Sequence, residues 1–291
     1  MPLDPDRVRA WPTPTVRRRL DERDVSLYAL AVGARVDPVD PAQLLRARPV
    51  EPVPLSSLPT VLAHPGFWMR DAGTGIDARC VVHGEQRMRI RGPLPDPGNE
   101  VVGRTRVVGT ADKGPGMGAL VFQERSLEDA AGRPWTTLSM TTCCRGDGGC
   151  GGPADAPFEA LRPVPARPPD DAVTLATSPQ AALHFAQFGD LNALHTDVAA
   201  ARAAGYERPI LHGLATLGNA CLALSIVCQR RFGVTRMLAA MKARFATPVV
   251  PGATLTTSCW FGGTRIAFET RRAPDGGFAL AAGGAELGIP P

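Results

Sequence analysis

Residues 188–214 read FGDLNALHTDVAAARAAGYERPILHGL. A carboxylate (Asp190), a carboxamide (Asn192) and an imidazole (His195) fall within six positions, and His212-Gly213 stands at the mouth of a long apolar run. A bent loop can bring Asp190 and His195 together around one water molecule and let them exchange its protons, with Asn192 orienting that water or an acyl group. This is equipment for moving water on or off a carbon–carbon double bond beside a thioester. The reaction needs a base for the water, an acid for the α-carbon, and donors for the charge that builds on the carbonyl oxygen. Gly213 can supply the donor. The first amides of a helix lack internal partners and carry partial positive charge, and a residue without a side chain lets a carbonyl approach its N–H closely. Structural uses compete with each assignment. Asp190 and Asn192 are types that commonly bond loop backbone, and His212, taken alone, is better explained as a satisfied core histidine.

Other chemistries find less support. There is no Gly-rich phosphate loop, no HExxH and no GxSxG. The seven cysteines are odd in number and include no CxxC pair, so the chain reads as a reduced, cytoplasmic protein. Cys143, Cys144 and Cys150 have the wrong spacing for the usual zinc pairs. Basic residues number 32 against 28 acidic, a net charge of +4 with no long basic run, which gives little support to nucleic-acid binding. The N-terminus is charged and proline-rich with no apolar leader. The most apolar stretch, LATLGNACLALSIVC at 214–228, is too short to span a bilayer and contains Asn219, so it is expected as a buried helix rather than a membrane segment.

The elements that must position these groups follow from periodicity. Apolar residues make up 44% of the 291, enough for a substantial core. In 22–34, Val25, Tyr28, Ala29 and Val32 share a helical face that Gly33 ends. From about 78 to 145, β-branched runs punctuated by Gly/Pro turns predict antiparallel strands. Six prolines between 153 and 169 mark an extended connector. Beyond it come the strand VTLA, a helix over 179–187, the motif loop, a helix capped by Asp197, the long helix over 211–228, and four more strands. Turn chemistry repeats in order between the halves, which suggests a duplicated unit. The helix at 211–228 is apolar nearly all round, as a fully buried helix should be. A sheet wrapped on one such helix is the layout of a hot-dog unit. No equally long apolar helix is visible between residues 50 and 80, which reads as loops or short helices, and that asymmetry can leave open space in the first half.

GDLNALHTD…AAGYERPILHGLATLG closely resembles the signature of the MaoC-like, (R)-specific enoyl-CoA hydratases (hydratase 2). RDVSLYALAVGA, LPTVLAHPGFWM, HGEQRMRI, DKGPGMGALV and RGDGGCGG in the first half resemble the same family, so the likeness runs from about residue 22 to 287. The resemblance implies an α+β double hot dog: a degenerate unit over 1–157 and a complete unit over 158–291 that carries the motif. It implies hydration of trans-2-enoyl thioesters to (R)-3-hydroxyacyl thioesters, or the reverse dehydration, with no cofactor and no metal. Coenzyme A or an acyl carrier protein then belongs to the substrate, and a homodimer is implied. Carried over residue by residue, the acid–base pair falls on Asp190 and His195, the orienting amide on Asn192 and the oxyanion donor on Gly213. An N-terminal acidic residue has Glu51 as its nearest, poorly matched candidate. Phe188, Ala193 and Cys150 stand where Ser, Pro and Phe are usual. A hot-dog thioesterase and a non-catalytic acyl-binding subunit are the alternatives, and the retained Asp-x-Asn-x-x-His pattern speaks against both.

Overall fold

The computed structural model describes residues 3–34, 55–152, 156–233 and 237–288. The first half contains α1 (Pro5–Arg9), β1 (Val16–Arg19), α2 (Glu22–Ala31), β2 (Val81–Ile90), β3 (Glu100–Asp112), β4 (Ala119–Glu128) and β5 (Pro134–Cys144). The second contains β6 (Asp171–Ala176), α3 (Ala181–Ala186), α4 (Val198–Ala203), α5 (Gly213–Phe232), β7 (Leu238–Phe245), β8 (Thr254–Gly262), β9 (Arg265–Ala273) and β10 (Phe278–Leu287). Among the described residues the strands form one 10-stranded sheet in the order β1-β3-β4-β5-β2-β7-β10-β9-β8-β6. Counted outward from the centre, each half runs second, fifth, fourth, third, first strand, so the two units trace one topology twice. All pairings are antiparallel. The halves meet where β2 pairs with β7, from Glu85 opposite Arg244 to Arg89 opposite Ala240. An Arg244–Glu85 ion pair of 2.8 Å lies across that seam.

The expected helices and strands form, with shifts at their ends. The long helix α5 extends to Phe232 and stops at Gly233, whose φ of 71° is the left-handed conformation that ends helices. Leu217, Ala220, Cys221, Leu224 and Val227 on it are buried. Asn219 is tolerated in this apolar helix because its Nδ2 donates to the Val32 carbonyl at 3.1 Å, at the end of α2. α2 begins with a reciprocal capping box between Asp21 and Asp24, and its face of Val25, Tyr28, Ala29 and Val32 is buried as the periodicity predicts. Helix α1 and strand β1 are not anticipated by the sequence reading. The strand VRRR shows no apolar alternation, because it is the charged edge of the sheet beside β3.

The first half has no counterpart of α5 among its described residues. Single 3₁₀ turns occupy Leu58–Thr60, Trp68–Arg70, Ala72–Thr74 and Ala78–Cys80. This irregular segment presses onto the sheet at Gly103 of β3, where an added Cβ would lie 2.4 Å from the Ala63 carbonyl oxygen. Glu51 lies outside the described residues.

Gly103→Ala should therefore destabilise the protein by about 1–3 kcal/mol, since the obstructing atom is backbone and cannot rotate away. Urea denaturation should show a lower midpoint at an unchanged slope; an unaltered midpoint would mean that the 58–64 segment is not held against the sheet as described.

Candidate active site

The motif loop is built by local hydrogen bonds. Gly189 takes a φ of 100°, which turns the chain after α3. The Asn192 amide N–H donates to Asp190 Oδ1 at 3.3 Å, and the Leu194 N–H donates to Asn192 Oδ1 at 3.1 Å, so Asn192 caps the 3₁₀ turn Ala193–His195. The structural use foreseen for these Asx residues is thus present. It engages one Asp190 oxygen and the Asn192 oxygen, while both residues still line a cavity of about 420 Å³.

Two further bonds tie this loop to the segment entering α5. His195 Nδ1 lies 2.9 Å from the Ile210 carbonyl oxygen. A carbonyl only accepts, so Nδ1 carries the hydrogen and Nε2 is left with a lone pair. His212 Nε2 lies 3.3 Å from the Asp190 carbonyl oxygen, and its ring stacks on that of His195 with centroids 3.8 Å apart and meets that of Phe185 at a tilt with centroids 4.9 Å apart. His212 is 1% exposed, a packed and bonded histidine as its residue type suggested. Ligand-capable atoms of Asp190, His195 and His212 lie within 4.8 Å of one another. The sequence-predicted pair is therefore brought together, with His212 beside it.

Gly213 is the first residue of α5 and lines the same cavity. Its amide has no intrahelical partner by virtue of its position. The flanking His212 contributes no side-chain cap. Phe245 of β7 packs where a side chain on Gly213 would stand, with an added Cβ 3.1 Å from its ring. Phe245 in turn meets His83 of β2 edge-on at 4.6 Å. The cavity therefore sits under the seam of the two half-sheets, between the start of α5 and the irregular segment that replaces a helix.

Residues that the motif does not contain complete the wall. His64 and His83 lie near enough to Asp190 to feel its charge. His64 Nδ1 accepts from the Gly66 N–H at 3.1 Å, so its hydrogen is on Nε2. Gln123 and Arg125 of β4 also line the cavity. No motif marks these four; a weak signal existed in HGEQ and in the polar pair at inward-facing positions of β4.

The electrostatics separate one charged group from several neutral ones. Burial would raise the Asp190 carboxyl, but His212, His195, His64 and the Asn192 amide together hold it below the ordinary carboxylate value. Burial lowers His195, more than Asp190 and the Ile210 carbonyl raise it. Burial also takes His212 and His64 down to about 3 and His83 to about 4. At neutral pH the site thus holds an ionised Asp190 among neutral imidazoles.

Residues 161–274 match the family described as MaoC like domain, and residues 19–146 match the MFE-2 hydratase 2 N-terminal domain. An enoyl-CoA hydratase of Mycobacterium tuberculosis is 34% identical over 272 residues, covering 91% of this chain and 92% of its own length. The chain belongs to the MaoC-like hydratase 2 family. The crystal structure of a MaoC-like dehydratase from Phytophthora capsici superposes with a TM-score of 0.80 at 26% identity, covering 98% of this chain and 99% of that one. A Mycobacterium tuberculosis protein described as having a double hotdog fold superposes at 0.56 and 17% identity, covering 95% and 94% of the two chains, a likeness of fold. The peroxisomal multifunctional enzyme type 2 of Drosophila melanogaster is 32% identical over 262 residues, and the match spans 86% of this chain but only 42% of that enzyme's length. The α+β double hot dog expected from the sequence is therefore the fold of this hydratase 2 chain. Of its departures from the family pattern, Phe188 is a core residue packed on Tyr28 at 5.8 Å, Ala193 is an exposed residue of the 3₁₀ turn, and Cys150 packs with Phe67 and Trp68 against the smaller core cluster.

The buried histidines make a stability prediction. Each has a folded pKa below its unfolded value near 6.5, so the unfolded chain binds more protons in the acid range. The stability they contribute is present above about pH 6.5 and is lost as pH falls towards their folded values near 3 to 4. Urea midpoints measured from pH 7 to pH 4 should fall steadily; a flat profile would contradict neutral burial of these rings.

Proposed function

We propose that this chain interconverts trans-2-enoyl and (R)-3-hydroxyacyl thioesters through Asp190 and His195. The observation that carries the reading is the fixed tautomer of His195 beside an ionised Asp190 on the cavity that Gly213 also lines. A lone pair on His195 Nε2 and a carboxylate oxygen of Asp190 are both acceptors, and one water has two hydrogens to give. The water is held between them, its oxygen attacks C3, and one proton passes to the acceptor that acts as base. The same proton, or the second one, is then delivered to C2, so hydroxyl and hydrogen are both added and the pair returns to its starting state. The enolate oxygen formed in between is met by the Gly213 N–H. Asn192 Nδ2, whose sister oxygen is committed to Leu194, orients the acyl group or the water.

The remaining parts of the proposal are coarser. The substrate is an acyl thioester of coenzyme A or of an acyl carrier protein, and no separate cofactor or metal takes part. A homodimer follows the family expectation. No described helix is long and apolar enough to cross a membrane, and seven free cysteines suit a reducing compartment, which we take to be the cytoplasm. The division into units at 157/158 falls in the proline-rich connector between β5 and β6.

Asp190→Asn and His195→Ala should each lower kcat on crotonyl-CoA by about 10²–10⁴-fold with the fold unchanged by circular dichroism. Parental turnover in a well-folded Asp190→Asn enzyme would end this reading. A free-thiol assay should stay silent during turnover, because hydration leaves the thioester intact; thiol release would instead indicate a thioesterase.

A further inference from the structure

We infer that the acyl chain this enzyme accepts bears a carboxylate remote from the thioester, held by the Arg125 guanidinium inside the cavity. The inference rests on the hydratase reading above and adds the substrate class to it.

Strand β4 alternates with Ala119, Val121, Gln123, Arg125 and Leu127 buried on one face. Apolar residues belong at all five positions of a core-facing strand, and a polar pair at 123 and 125 breaks that rule at the cavity wall. Arg125 is 8% exposed. Its Nη2 donates to the Thr60 carbonyl, while Nε and Nη1 are buried with no partner. Its neighbours on the flanking strands are Thr105 and Leu138, neither of them acidic, and it belongs to no ion pair among the described residues.

Gln123 cannot serve as its counterpart. The Gln123 Oε1 accepts from Trp68 Nε1 at 2.9 Å, and its Nε2 donates to Thr142 Oγ1 at 3.2 Å. Burial lowers Arg125 to about 9, with no acid acting on it, so it remains a cation at neutral pH. An unpaired buried cation with unused donors is costly and persists where a ligand supplies the missing acceptor. A carboxylate supplies both the charge and the lone pairs.

Position separates this group from the reacting end. Arg125 stands on β4, three strands along the sheet from β7, whose Phe245 packs on Gly213. Neighbouring strands lie about 4.8 Å apart, which leaves room between the two for a chain of several carbons whose far end is anionic. The carrier's phosphates are a poorer fit, because they stay at the hydrated mouth while Arg125 is buried on the same wall as Val121 and Leu127.

Two measurements test this on the full chain. Calorimetric binding of saturated analogues needs no turnover: adipyl-CoA should bind wild-type enzyme about 10-fold or more tighter than hexanoyl-CoA, and Arg125→Met should abolish that ratio. In turnover, the ratio of kcat/KM for trans-2-hexenedioyl-CoA to that for trans-2-hexenoyl-CoA should fall about 10-fold or more in Arg125→Met and be partly kept in Arg125→Lys. If the wild type shows no preference for the carboxylated chain, or Arg125→Met lowers both substrates alike, as a carrier contact or a purely structural arginine would, the inference is overturned. Selective binding of adipyl-CoA without hydration of either enoyl chain would support the anion site and overturn the hydratase reading; hydration of hexenoyl-CoA without selectivity would do the reverse.

Discussion

Among the described residues, ten strands curve over one long buried helix, and the second half of the molecule supplies it. Each half-sheet presents an apolar face that must be covered. The second half meets the requirement with the twenty residues of α5, apolar on nearly every side. The described residues of the first half cover its face with 3₁₀ turns and irregular chain that presses on the sheet at Gly103. The unfilled part is the cavity, and its place is decided by where α5 begins. The helix start is the one point at which a buried helix must present unbonded amides. Here those amides open into the space that the missing helix leaves.

Placing ionisable groups in such a space has consequences for their protonation. Four imidazoles and the Asp190 carboxylate line this space, and burial favours the neutral form of each ring. The outcome is an ionised Asp190, held so by the neighbouring histidines and the Asn192 amide. Backbone carbonyls then select the tautomers. Ile210 takes the hydrogen of His195 Nδ1, and the Asp190 carbonyl takes that of His212 Nε2. Both carbonyls belong to the chain segments that converge at the helix start, so the fold that builds the cavity also decides which ring nitrogen keeps its lone pair.

The parts legible in the sequence were those whose signal is contiguous. The motif loop holds Asp190, Asn192 and His195 within one bend, and α5 announces itself by unbroken apolarity. The lack of a long helix over the described residues 55–80 was legible too, because proline-rich chain cannot supply one. His64, His83, Gln123 and Arg125 were not singled out, since each stands on a different element or amid ordinary strand alternation, and only the curvature of the sheet brings them to one wall. Strand β1 has the opposite character: an edge strand with three consecutive arginines carries no apolar period to detect. Asn192 shows a mixed case, since its sequence position suggested either a backbone cap or a site ligand and its oxygen serves as the cap.

The polar residues of β4 bear on how this hydratase 2 fold can diversify. The second half is constrained by α5, whose packing against α2 at Gly218 leaves an added Cβ only 2.3 Å from Val32. Its loop holds Asp190 and His195 by hydrogen bonds to backbone, so substitution there disturbs the loop as well as the cavity wall. The wall contributed by the first half borders the cavity, so a side chain there can change with less repacking than one on α5. Arg125 sits on that wall, opposite Thr105 of β3 and Leu138 of β5 and three strands along the sheet from β7. A substrate preference written there can change without disturbing the tautomers or the helix start. That separation is a physical reason for a duplicated unit to keep one half regular and let the other lose its helix.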